Sequence, residues 1–135
     1  MVTEALEDRK VEASDRLVKE LLQRASPILA AYWEFREEDA RWTLMLVPTS
    51  AEEERRLIEE ATTLLIESRY RAVFSLSDPS VDSRQIERAR ALGAYIRVEP
   101  YIGRRIDTTF TGRQYFESVV PVYLAPELMT HLRVA

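Results

Sequence analysis

The chain has 135 residues, 46% hydrophobic and 31% charged, with a net charge of −4 at pH 7 and no cysteine. That balance belongs to a folded domain rather than a disordered segment, and it excludes thiol catalysis, cysteine-ligated zinc and a disulfide framework. No apolar run approaches the roughly 18 residues of a membrane span, and the acidic opening MVTEALEDRKVEASD is not that of a signal peptide, so a cytoplasmic protein without a membrane partner is expected.

From Ser14 onward, Leu17, Val18, Leu21, Leu22 and Ala25 recur at helical spacing, and Pro27 ends the pattern. Residues 1–13 either extend this helix or fray. Leu29, Ala31, Trp33 and Phe35 then alternate with more polar neighbours, as do Trp42, Leu44 and Leu46. Two alternating runs joined by the polar REEDAR predict a β-hairpin with an aromatic inner face and a solvated tip. The tip holds Glu37, Glu38 and Asp39 in a row but lacks the spaced, glycine-turned loop of a calcium site.

After Pro48, Ser50 and Glu53 read as a capping box, and Leu57, Ile58, Ala61, Leu64 and Leu65 as the buried stripe of a second helix. RAVFSLS, from Arg71, reads as a strand, and Asp78-Pro79 as the entry to a third helix that Gly93 stops. A further strand starts at Ala94. Residues 104–110 and 114–124 form two more strands around the Thr111-Gly112 turn, with Pro121 confining the last to an edge or a bulge. Pro126 opens a closing helix.

The alternation of strand and helix predicts a single α/β domain over residues 1–135, with α+β as the alternative. Its mixed sheet has about six strands, with a hairpin, two right-handed βαβ crossovers and antiparallel strands at the C-terminus.

Chemistry is sparse. Three glycines, at 93, 103 and 112, leave no Walker or dinucleotide loop. The single histidine, His131, argues against a histidine metal cluster or a Ser-His-Asp triad and reads as decoration of a helix end. Ligands of open α/β sheets bind beyond the carboxyl ends of parallel strands, which would here present Ser75, Ser77 and Asp78 beside Glu99 and Tyr101. Asp78 and Glu99 could hold a divalent metal or act as acid and base in a hydrolase or nuclease. The blander reading has Asp78 capping a helix and Glu99 solvated.

A second candidate is YIGRRIDTTFTGRQYF, in the half of the chain that carries a net +3 against −7 for residues 1–68. Arg104, Arg105 and Arg113, with Tyr101 and Tyr115, are the residue types that contact phosphates and unpaired bases. Against this, the chain as a whole is acidic, and strand alternation sends Arg104 and Arg105 to opposite faces.

The run from Pro27 to Leu124 resembles a group of small bacterial α/β proteins without assigned activity. The likeness rests on the Ala-Ala-x-Trp strand at Ala30, Ala31 and Trp33, and on the glycine turn and tyrosine-rich strand TGRQYFESVVPVYL. It implies a bacterial cytosolic protein and carries over no catalytic residue. The leading expectation is a non-catalytic interaction module without cofactor or metal. It would form a homodimer through the last strand's edge or the N-terminal helix, with a protein partner also open. A nucleic-acid-associated protein and a metal-dependent hydrolase are the alternatives.

Overall fold

The computed structural model describes residues 6–75, 77–95, 104–111 and 114–130. Strands β1 (Ile28–Arg36) and β2 (Arg41–Pro48) form the expected hairpin, in register from Ala30 opposite Val47 to Arg36 opposite Arg41, with a shift between Ile28 and Ala30. Alternation puts Trp33, Phe35, Trp42, Leu44 and Leu46 in one core, where the cross-strand Phe35 and Trp42 rings lie 5.5 Å apart. Around the hairpin the sheet grows outward, with β3 (Pro79–Val81) parallel to β2, β5 (Gln114–Leu124) antiparallel to β1, and β4 (Ile106–Thr111) antiparallel to β5. The order is β3-β2-β1-β5-β4, a five-stranded mixed sheet in an α/β chain with an N-terminal helix.

Helices cover both faces. Helices α1 (Asp8–Gln23) and α2 (Glu54–Leu65), with the single turn α3 (Ser68–Arg71), bury Leu17, Leu21, Leu57, Leu64 and Tyr70 against Ala31, Trp33 and Phe35. On the other face α4 (Ile86–Tyr95) and α5 (Pro126–Thr130) bury Ala89, Leu92 and Leu128 against Ala30, Tyr32 and Met45. Each large side chain so buried stabilises the fold by about 1.5–3 kcal/mol. The first helix extends back to Asp8, and its register differs slightly from the predicted stripe: Ser14 is buried and Leu22 is exposed. Buried Ser14 accepts from the Trp33 indole N–H at 3.1 Å and donates to the Val11 carbonyl at 2.7 Å. Helix α1 closes on Ala25 at φ 57°, with the Ser26 N–H on the Leu21 carbonyl and the Ala25 N–H on the Leu22 carbonyl, a left-handed C-terminal cap filled without glycine.

Several local expectations are corrected. Ser50 makes no side-chain cap; a 3₁₀ turn, Ala51–Glu53, leads into α2, and Glu54 instead accepts the Ser83 N–H at 2.7 Å. Arg71 is the end of α3 rather than the start of a strand, because Tyr70 and Phe74 bury at a spacing of four and stack 6.1 Å apart. The strand falls on Pro79–Val81, where a helix entry was expected, and Asp82 caps the following turn by accepting the Arg84 N–H. As an edge position Pro79 needs no ladder donor.

The strand expected from Ala94 is, at Ala94 and Tyr95, the end of α4; residues 96–103 lie outside the described residues. Of the two parallel crossovers only β2–α2–β3 is present among the described residues, since the second was expected to end on the strand from Ala94, which the described residues do not show. The last strand lies between β1 and β4 in the sheet order, although β4 pairs it only from Gln114 to Val119. Pro121 sits at a register shift against β1 and beyond Val119, the last residue of β5 that β4 pairs.

Gly93 does not stop its helix. It lies within α4 where that helix touches α5, and a Cβ there would stand 2.8 Å from the Leu128 carbonyl oxygen and 3.0 Å from its Cβ. Helix propensity alone would make Gly93→Ala favourable by about 1 kcal/mol. The backbone contact dominates, and Gly93→Ala is expected to destabilise by about 1–3 kcal/mol in urea unfolding, through overpacking of α5. An unchanged or higher midpoint would contradict the close α4–α5 contact.

Candidate functional site

The sequence candidates are mostly engaged in holding the chain together. Asp78 is buried between α1 and the start of β3, where its Oδ2 takes Lys10 Nζ at 3.0 Å and the Ser75 N–H at 2.9 Å. Its own carbonyl accepts the Leu44 N–H at 2.7 Å. Ser75 and Ser77 remain exposed nearby, their hydroxyls 3.1 Å apart. Glu99, Tyr101, Arg113, Gly112 and His131 lie outside the described residues. Among the described residues, no three carboxylate or imidazole groups converge as a metal site, and no helix is long and apolar enough to cross a membrane.

Arg105 likewise has intramolecular work. Its Nε donates to Asp107 Oδ1 at 2.6 Å, and its guanidinium lies 5.4 Å from the Trp42 ring centre. The same Asp107 oxygen accepts the Ser118 hydroxyl at 2.7 Å, and these two bonds, Ser118 first and Arg105 second, hold the Asp107 carboxyl below its ordinary pKa. Tyr115, half exposed, joins them around a hollow of about 320 Å³ that also takes in Glu37 and Glu117. Three carboxylates face one arginine there, a poor setting for phosphate. Arg104 is exposed and makes no ion pair among the described residues.

Two features went unread in the sequence. The first is an apolar groove of about 480 Å³ between α2 and the β3 edge, floored by Leu46, Ala61, Phe74 and Val81. Ile58 and Ile66 stand on its α2 wall, 42% and 63% exposed. Arg71 lines it too, without an ion pair among the described residues. Helical spacing puts Ile58 and Leu65 in one buried stripe; only the position of α2 over the sheet turns Ile58 outward.

The second is a charged cluster under α4. Glu34, on the central strand and 4% exposed, receives Arg88 Nη2 on Oε2, and Arg88 also stacks 4.1 Å over the Phe116 ring centre. Arg36 Nη2 approaches Glu34 Oε1 at 3.5 Å, an ion-pair distance without a hydrogen bond, so Oε1 and Arg88 Nε are both buried and unmet. Burial pushes the Glu34 carboxyl above the ordinary range, against the pull of Arg88 and then Arg36. Next to it Tyr32 is fully buried and donates to Gln85 Oε1 at 3.2 Å; burial, and then the Glu34 charge, push its hydroxyl pKa up. The sequence signal for this cluster was one carboxylate inside an otherwise apolar strand.

Comparison with protein-family models, curated proteins and solved structures finds no match to this chain.

Two predictions separate structural from chemical roles. Asp78→Ala strands Lys10 and the Ser75 N–H, and is expected to cost about 1–3 kcal/mol of unfolding free energy; an unchanged melting temperature would release Asp78 for other work. On the other side of the molecule, Tyr70 donates to Glu20 at 2.5 Å, and burial, then that hydrogen bond, raise its pKa from 10.0 to about 12. A raised pKa means that the folded state holds the proton longer. The contribution is therefore complete below about pH 10 and is lost as pH rises through about 12. Tyr70→Phe should flatten the alkaline fall in stability between those limits, leaving the part that Tyr32 contributes. An identical alkaline profile in the variant would contradict it.

Proposed function

We propose that this protein is a non-catalytic binding module that associates with a second copy of itself through the groove between α2 and the β3 edge. The observation that carries this reading is a hole and a ridge on one surface. The groove of about 480 Å³ is floored by Leu46, Phe74 and Val81, and Ile58, Thr62 and Ile66 follow one another along the exposed side of α2 at its border. A twofold contact needs a self-complementary surface of this kind, in which the ridge of each copy enters the hole of the other. Ile66, at 63%, is the more exposed of the two isoleucines beside it, and removing such a patch from water favours association.

Arg71 at the groove favours a partner surface that brings a carboxylate, which Glu52 and Glu53 of the turn before α2, or Glu54, Glu59 and Glu60 within it, can supply. The β3 edge itself is short and carries Pro79, so side-chain packing rather than strand addition is the proposed contact. A reducing, cytoplasmic setting suits a chain without cysteine. Asp78 and Arg105 are occupied by Lys10 and Asp107, which is why catalysis and nucleic-acid binding rank below self-association.

Light scattering after size-exclusion chromatography, from about 10 to about 500 µM chain, should give the mass of a dimer that dissociates on dilution. Ile66→Asp should leave the far-ultraviolet spectrum and melting temperature of the monomer intact and weaken association by at least about a hundredfold, since a desolvated carboxylate opposes burial. A monomer at every concentration would overturn the reading, as would a dimer indifferent to Ile66→Asp and Ile58→Asp. Saturable binding of an apolar dye in the groove of a persistent monomer would assign the groove to a small ligand instead.

A further inference from the structure

The first hairpin closes on a like-charge pair. Arg36, last in β1, stands directly opposite Arg41, first in β2. Opposed residues of an antiparallel ladder share a face at about 4.5–5.5 Å between Cβ atoms, where two like charges repel. Alternation places Glu34 and its partner Thr43 on that same face, one step deeper. The four side chains open into a cleft of about 160 Å³ whose far wall is Ser80 of β3 and the Asp82–Gln85 turn.

Within that cleft, positive charge and hydrogen-bond donors are left over. Arg41 makes no ion pair among the described residues, and Arg36 makes only the long 3.5 Å approach to Glu34. The hydroxyls of Thr43 and Ser80 have no hydrogen-bond partner among the described residues. The carboxylates are mostly neutralised from outside the cleft, Glu34 by Arg88 on its buried side and Asp82 by Arg84 at 3.0 Å. Asp39 lies on the rim, yet it pairs with neither Arg36 nor Arg41. Two arginines and three carboxylates thus line the cleft, and with Arg84 and Arg88 already matched to Asp82 and Glu34 from outside it, Arg41 is left without a carboxylate among the described residues.

We propose that this cleft is an oxyanion site, which takes a tetrahedral phosphate group between Arg36 and Arg41 with the Thr43 and Ser80 hydroxyls as further donors. Two guanidinium groups on adjacent strands offer the forked, charge-assisted contacts that phosphate oxygens favour, and a dianion between them converts the repulsion of the pair into attraction. The volume admits a phosphoryl group but not a nucleoside, since sites for drug-sized ligands begin at about 300 Å³. The ligand is therefore inorganic phosphate, or a small phosphomonoester whose remainder projects into solvent. Glu34 is part of the device. It competes with the anion for Arg36, so binding draws that guanidinium away and leaves Glu34 to Arg88 alone.

Isothermal titration of the full chain with inorganic phosphate and with glycerol 3-phosphate, at constant ionic strength, tests this site apart from the groove. Saturable one-to-one binding of at least one of the two is expected. Binding only by free phosphate restricts the ligand to the ion, whereas equal or tighter binding of the ester assigns a phosphomonoester. Arg41→Gln, at an exposed position that leaves the core untouched, should weaken binding at least about tenfold, as should Arg36→Gln. Glu34→Gln should tighten it, whereas Arg71→Gln and Arg104→Gln, remote from the cleft, should stay within about twofold of the parent. The proposal is overturned by an absence of saturation with both ligands, by Arg41→Gln binding as the parent does, or by equal losses in the remote variants. A melting curve for each variant ensures that any loss is read on folded protein.

Discussion

The architecture depends on burying one strand from both sides. Every residue of β1 from Ile28 to Phe35 is buried, so successive side chains must be received by different cores. Ala31, Trp33 and Phe35 go to the core under α1 and α2, and Ala30 and Tyr32 to the core under α4 and α5. A buried aromatic with a polar edge also needs a hydrogen-bond partner from the element that covers it. The Trp33 indole finds Ser14 of α1, and the Tyr32 hydroxyl finds Gln85 just ahead of α4. These two bonds fix the rotation of helices that apolar burial alone would leave free to slide, because hydrophobic contact is non-directional.

The same strand carries a buried carboxylate. Glu34 is only 4% exposed, and an isolated buried carboxylate would be prohibitive. Arg88 answers it from α4 while lying over Phe116, so one side chain links the helix, the central strand and β5. Even so, Glu34 Oε1 and Arg88 Nε stay without partners. A hydrophobic pair of similar volume would pack there without that cost, and unmet buried polar atoms that persist direct attention to function. Here they lie beneath the Arg36 and Arg41 pair, which places the least comfortable charges of the fold at one end of the hairpin.

The groove and the cleft use opposite physics and lie at separate places on the sheet. The groove exists because α2 stops at Leu65 and α3 tucks Tyr70 and Phe74 inward, leaving the narrow β3 uncovered. The cleft exists because the hairpin ends in a four-residue loop, closed by Ala40 at φ 53°, which stands its paired arginines apart from the covering helices. The apolar groove and the charged cleft are thus both by-products of how far the helices reach across the sheet.

Much of this was legible from residue order. The hairpin, the stripe of α2, the β4 and β5 pair and the proline-led α5 all follow from periods of two or 3.6 and from the punctuation of glycine and proline. Reading failed where one residue type serves two backbones. Tyr70 and Phe74 fit a strand by composition, yet their spacing of four belongs to a turn of helix. Gly93 looks like a helix stop, but it is small because Leu128 of another helix lies against it. The three-residue β3 is too short for any period to show.

The sequence by itself determined which segments have an apolar side, since that depends only on neighbours along the chain. Tertiary structure alone decided which charges meet. Glu34 and Arg88 are 54 positions apart, Lys10 and Asp78 are 68, and nothing in local pattern couples them. It also decided that Arg105 is engaged by Asp107, two residues on in the same segment, while Arg41 makes no ion pair among the described residues. Charge pairing is set by distances of a few ångström through space, and those distances do not exist until the sheet has formed.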